Sequence, residues 1–144
     1  MAEVLDAYAL VALIVDEPAA QLVEELMRSG EAAITSINLA EAVDVSCRVH
    51  GLNERSVREI VEPLIFGAHL SVVAPIDTDA WRAARLRIGH YNRRTRPLSI
   101  ADCFLLAAVT PADRVATADP AVAEVARAEG IDMIALPDSS GRRP

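Results

Sequence analysis

Short apolar runs alternate with stretches of helical periodicity along the whole chain. Glu3-Val4-Leu5 reads as a strand ending at Asp6, and Ala7–Val15 as a helix stopped near Asp16-Glu17-Pro18. Ala19–Arg28 is a second helix, closed by Ser29-Gly30. Ala32–Thr35 is the next strand. Ser36 or Asn38 then opens a helix that runs to about His50 and ends at Gly51. Asn53 caps a helix to about Phe66, which Pro63 is expected to bend or shorten. Leu70–Ala74 reads as a strand. Asp77 or Thr78 caps a long helix from Asp79 to Tyr91, with Trp81, Ala84, Leu86 and Ile88 as its apolar positions. After a basic loop, Asn92–Arg96, Ser99 caps the apolar helix Ile100–Val109. Arg114–Ala116, Pro120–Glu129 and Met133–Leu136 complete the pattern as strand, helix and strand.

The resulting order is β-α-α-β-α-α-β-α-α-β-α-β, without a hairpin signal. It predicts an α/β fold whose parallel sheet is covered by helices on both faces. Such sheets bind ligands beyond the carboxyl ends of their strands, so the chemistry is expected there.

Composition narrows the chemistry. A chain of 144 residues, 52% hydrophobic and 24% charged, has the size and balance of one globular domain. Only 3% of residues are aromatic, which argues against modules that stack bases on aromatic platforms. Twenty-one acidic side chains against fourteen basic ones leave a net charge of −7, so any contact with a polyanion must be local or bridged by cations. All the basic residues are Arg. The absence of Lys excludes P-loop phosphate binding, Schiff-base chemistry and lysine-dependent phosphoryl sites. Asp77-Thr78-Asp79 is accordingly read as a helix cap and not as a phosphatase motif.

Cys47 and Cys103 sit in apolar helical patterns without CxxC spacing and read as buried free thiols, as in a reducing cytoplasm. His50, His69 and His90 lack zinc-ligand spacing. The longest apolar run, Ala7–Val15, is too short to span a bilayer and has no basic segment before it, so neither a membrane span nor a signal peptide is expected. Residues 138–144 (DSSGRRP) read as a disordered tail.

Four acids stand near helix starts. Asp6 follows the first strand, Glu41 lies early in the helix after the second, Asp102 follows the Ser99 cap, and Asp119 precedes Pro120. Each alone is explained by capping or by the helix dipole, and Asn38-x-x-Glu41 and Ser99-x-x-Asp102 both resemble capping boxes. Together they mean more, because a parallel sheet puts Asp6, Glu41 and Asp119 at one edge. Two carboxylates about 5 Å apart repel by roughly 3 kcal/mol at an effective dielectric near 20. Three or four need protons or a cation. All-oxygen ligation favours Mg²⁺ or Mn²⁺, ions that bridge to phosphate oxygens and activate water for attack on phosphorus.

With these residues in view, VLDAYALVALIVDEP (Val4–Pro18), SINLAEAVD (Ser36–Asp44), LSIADCFLLAA (Leu98–Ala108) and VATAD (Val115–Asp119) resemble the PIN domain, and within it the VapC toxins of VapBC toxin–antitoxin systems. The resemblance spans about Val4 to Leu136, with all four motifs in order, and gives a PIN domain over residues 1–137. It implies a three-layer α/β/α sandwich with a five-stranded parallel sheet. It further implies a cytoplasmic, Mg²⁺- or Mn²⁺-dependent endoribonuclease toxin cutting tRNA, rRNA or mRNA, a homodimer, and a cognate VapB-type antitoxin. Carried over by position, Asp6, Glu41, Asp102 and Asp119 are the catalytic acids, with Asp6, Asp102 and Asp119 as metal ligands. Thr117 matches a hydroxyl of the fourth motif that holds a carboxylate or a phosphate. Tyr8 stands where many members carry Ser.

Arg82, Arg85, Arg87, Arg93, Arg94 and Arg96 concentrate the positive charge, either as a solvated face or as an RNA-backbone track, with Arg93 and Arg94 as the substrate contacts. Two other readings stay open: a PIN nuclease acting on DNA or in RNA processing without a toxin role, and a non-catalytic PIN-like domain binding RNA or a partner. Acids at all four positions disfavour the second, and a chain that is PIN domain alone favours the toxin.

Overall fold

The computed structural model describes residues 1–144. Its elements are β1 (Glu3–Leu5), α1 (Ala7–Val15), α2 (Ala20–Arg28), β2 (Ala32–Thr35), α3 (Ser36–Arg48), α4 (Glu54–Phe66), β3 (Ser71–Val73), α5 (Asp77–His90), α6 (Ile100–Ala108), β4 (Arg114–Thr117), α7 (Pro120–Ala128) and β5 (Asp132–Ala135). The strands form one parallel five-stranded sheet in the order β3-β2-β1-β4-β5. Element order and sheet type match the sequence reading.

Alternation along β1 divides the core between two layers. Val4 and Leu5 point to opposite faces of the sheet. Leu5 packs with Leu10, Val23, Ile34, Val57 and Val61, under α1–α4. Val4 packs with Leu86, Leu105, Leu106, Val115 and Val122, under α5–α7. Each such fully buried aliphatic side chain is worth about 1.5–3 kcal/mol. β1 is central, with β2 on one side and β4 on the other. The chain fills one side of β1 through β3 and then crosses to the other. The crevice at the carboxyl ends of β1 and β4 is therefore the switch point where such sheets bind ligands.

Several local details depart from expectation. The cap of α3 is Thr35, not Ser36 or Asn38: its Oγ1 accepts from the Asn38 N–H at 3.0 Å. Asn38 is buried and its Nδ2 donates to the Ala101 carbonyl at 3.4 Å, tying α3 to α6. Neither Asp77 nor Thr78 caps α5. The helix begins at Asp77, and Asp79 Oδ2 accepts from the Ile76 N–H at 2.9 Å. Pro63 falls in the last turn of α4, which still reaches Phe66. Cys103 is buried as expected, but Cys47 is only partly so. Residues 138–144, expected as a disordered tail, fold back on Asp138, whose Oδ1 accepts from the Ser140 and Arg142 amides at 2.8 and 2.9 Å.

The largest departure is in α5. Its core contacts are Ala83 and Leu86, whereas Trp81 is 72% and Ile88 85% exposed. Trp81, Ala84, Ile88 and Tyr91 recur at offsets of three and four, a stripe on a single helix side. The apolar pattern was real, but half of it faces outward.

Candidate active site

Three of the four acids do two jobs. Asp6 caps α1, its Oδ1 accepting from the Ala9 N–H at 2.7 Å. Asp102 forms a capping box with Ser99: Oδ2 accepts from the Ser99 N–H at 2.7 Å, and the Ser99 hydroxyl accepts from the Asp102 N–H at 3.0 Å. Asp119 caps α7, its Oδ1 accepting from the Ala121 N–H at 2.7 Å, with Pro120 in the first turn. In each, the bond to the backbone sets the bearing of the carboxylate, and Asp6 takes further hydrogen bonds from Thr117 and Ala118. Glu41 lies past the first turn of α3, and with Thr35 as the cap it has no capping bond to make.

Asp6, Glu41, Asp102 and Asp119 line one cavity of about 280 Å³, together with Ala7, Tyr8, Val11, Val45, His50 and Ser99. Asp6 is buried, Glu41 and Asp102 are half-buried, and Asp119 is exposed at the mouth. No Arg lines the cavity.

Without a counter-charge, burial acts on the acids directly. It pushes the Asp6 carboxyl up to about 7, against hydrogen bonds from Thr117, Ala9 and Ala118, and the Asp102 charge adds to the rise. Burial also raises Glu41, with Asp102 and then Asp44 adding. Asp102 is raised by burial, opposed by its bonds with Ser99 and helped by the charge of Asp119. Asp102 is thus the common electrostatic neighbour of the other three. Burial also lifts the Cys103 thiol to about 11, and the Ser99 hydroxyl is engaged in its cap, so the site offers no ready covalent nucleophile.

The donor set fits a hard divalent cation: four carboxylates converge, no arginine competes for them, and three of the four are already oriented by helix starts. No three of the His, Cys, Asp or Glu side chains are close enough to cage an ion by themselves. The fit is therefore to a hydrated ion that keeps several waters, as Mg²⁺ does.

Thr117 is fully buried. Its Oγ1 accepts from the Asp119 N–H at 3.0 Å, and its side chain also bonds Asp6. It joins the backbone of Asp119 to the carboxyl of Asp6, and its full burial favours a carboxylate over a phosphate as its partner.

The basic track is shorter than the sequence suggested. Arg82 donates to the carbonyls of Ala107 and Val109 at 3.2 and 3.0 Å, closing the end of α6. Arg87 donates to the Leu98 carbonyl at 3.2 Å and lies 4.4 Å over the Tyr91 ring. Arg96 donates to His90 Nδ1 at 3.2 Å, which leaves His90 Nε2 to donate to Glu129 at 2.6 Å. Arg85, Arg93 and Arg94 make no ion pair. Arg93 and Arg94 sit on a loop pinned by reciprocal Asn92–Arg96 backbone bonds and by Asn92 Oδ1, which accepts from the amides of Arg94 and Thr95.

Sequence reasoning missed His50 as a lining residue. It lies nine residues after Glu41, which on a continuous helix is half a revolution away. The helix stops at Arg48, and the chain turns through Val49 and His50 into Gly51. No spacing rule would have found it.

The PIN domain family model matches residues 4–128. No curated protein sequence matches the chain. Solved structures that resemble it include a toxin–antitoxin complex from Klebsiella pneumoniae, with a TM-score of 0.60 and 16% identity over 82% of this chain and 87% of that one. VapBC2 from Rickettsia felis, bound to a DNA fragment from their promoter, gives 0.67 and 16% over 93% and 98%. FitAcB from Neisseria gonorrhoeae gives 0.58 and 19% over 91% and 95%. At these identities the likeness is one of fold. All four acids fall within the matched residues, and the chain belongs to the PIN-domain family.

Proposed function

We propose that the protein is the toxin of a type II, VapBC-like toxin–antitoxin pair, an endoribonuclease that uses Mg²⁺ or Mn²⁺ to hydrolyse RNA in the cytoplasm. Metal-dependent nuclease activity is the general property of the PIN family. The observation that carries the reading is the convergence of Asp6, Glu41, Asp102 and Asp119 on one cavity that no arginine lines. A toxin–antitoxin complex and VapBC2 are among the structures of like fold, which supports an antitoxin as partner. No helix is long and apolar enough to cross a membrane.

Asp6, Asp102 and Asp119 would hold the cation through the oxygens not used in capping. When bound, a divalent ion supplies charge to offset the phosphate and lowers the pKa of the attacking water. Glu41, free of a cap, orients that water and accepts its proton at a carboxylate oxygen. Thr117 keeps Asp6 and the backbone of Asp119 in place from below.

The test is cleavage of RNA by the purified protein with Mg²⁺ or Mn²⁺, with and without EDTA. Cleavage that persists in EDTA, or none with either ion, overturns the reading. Arg93 and Arg94 act as phosphate contacts in this scheme. Arg93→Ala with Arg94→Ala is expected to weaken RNA binding and to flatten the slope of log K against log salt by about 1.4, at roughly 0.7 per single-strand contact. An unchanged slope removes both from the interface.

The homodimer finds support in the outward stripe of α5. Ala84, Arg87, Ile88, Tyr91 and Ile100 line an apolar groove, and exposed apolar patches of this kind mark association surfaces. Ile88→Arg with Trp81→Glu is expected to convert a dimer to a monomer in light scattering. A dimer that persists puts the interface elsewhere.

A further inference from the structure

The acids account for the phosphate end of a nucleotide and leave its base without a partner. Of the other lining residues, Ala7, Val11 and Val45 are aliphatic and Ser99 is spent on its cap. Tyr8 and His50 remain, the only ring-bearing side chains on the cavity in a chain with two Tyr, two Phe, one Trp and three His.

Tyr8 is half-buried, with its ring packed against the core at the cavity edge, and His50 is set beside the cavity by its backbone. The Tyr8 hydroxyl donates to the Pro137 carbonyl at 3.3 Å, which anchors the ring at the rim. His50 is exposed and its imidazole has no hydrogen-bond partner, yet its backbone is fixed at the end of α3. Its N–H donates to the Val45 carbonyl at 3.2 Å. The Gly51 and Leu52 amides donate to Cys47 and Ser46, each at 3.1 Å. Gly51 adopts φ +76°, a turn that a side-chain-bearing residue resists.

Two rings on the wall of the acid-lined cavity, one half-buried and one exposed, suit the face of a nucleobase. Stacking of this kind contributes about 1–3 kcal/mol per base and tolerates any sequence. It requires a base free of its own helix.

We propose that Tyr8 and His50 form the base contact for the nucleotide beside the scissile phosphate, so that the site selects an unpaired nucleotide. The inference rests on the nuclease reading above. It also explains how a chain poor in aromatics binds single strands: two rings suffice where carboxylates and a cation take the phosphate.

The test compares fluorescence anisotropy on two labelled probes in Ca²⁺: a short single-stranded RNA of mixed sequence, and a chain of abasic ribose phosphates of equal length. The parent is expected to prefer the base-bearing probe by about tenfold or more. Tyr8→Ala with His50→Ala should bring the ratio close to one while binding of the abasic chain is unchanged. Tyr8→Phe, which keeps the ring, should rescue the preference when His50 is intact. An equal preference in parent and double variant overturns the inference, and leaves the nuclease reading standing if the parent still cleaves RNA with Mg²⁺ or Mn²⁺. A parent that neither binds the RNA probe nor cleaves RNA removes both.

Discussion

Asp102→Asn is expected to lower RNA cleavage by about a thousandfold, the scale on which a single electrostatic contributor to such a transition state acts, while leaving the fold intact. Two features of the site separate activity from stability. Asp102 is the acid whose charge raises Asp6 and Glu41 and which is itself raised by Asp119, so it is the centre of the cluster. Its structural duty is only to accept the Ser99 N–H at 2.7 Å, which an Asn carbonyl can also do. The amide removes a negative charge from the cavity and keeps the cap. Cleavage assays with Mg²⁺ alongside thermal unfolding check the pair of outcomes. Activity within a few-fold of the parent would remove Asp102 from the mechanism. A collapse of stability would mean that its structural role had been underestimated.

The second large effect is on stability against pH in the absence of metal. The folded state holds the Asp6 carboxyl near 7, against an ordinary value of 3.8. Between those values the folded protein binds a proton that the unfolded chain has released, so stability is greatest below about pH 4 for this group and falls as pH rises towards 7. At 1.36 kcal/mol per pKa unit the loss is up to about 4 kcal/mol, and at about 3 °C per kcal/mol it lowers the melting temperature by roughly 10 °C. Glu41 and Asp102 are raised as well and act in the same direction. Thermal unfolding in EDTA from pH 5 to 8 should show the decline, and Asp6→Asn should flatten it. Mg²⁺ competes with these protons, so the stabilisation it gives should be larger at pH 8 than at pH 6. Parallel profiles for parent and Asp6→Asn would rule out a buried, unpaired charge at this position.

Much of the site was legible because its residues obey local rules. Asp6, Asp102 and Asp119 each follow a strand or a Ser cap and precede an apolar run, so their positions at helix starts could be read directly. What stayed hidden is set by distance in the chain. In the sequence Thr35 is simply the last residue of a strand, and only the fold shows that its hydroxyl also starts α3, which frees Glu41 from capping. Arg82, Arg87 and Arg96 look available in the sequence because their partners, the carbonyls of Ala107, Val109 and Leu98 and the side chains of His90 and Glu124, come from other segments. Trp81 and Ile88 have the spacing of core residues, and periodicity reports a shared side without saying what covers it.

The double duty of the acids has a further consequence. Three helix starts set the bearing of these carboxylate oxygens, so the entropy of gathering them has already been spent when the chain folds. On the function proposed above, the cavity would need no jaw to close around a cation. It also cannot be disarmed by a small local loosening, because misaligning the oxygens means fraying α1, α6 or α7, and each of these has buried residues in the core.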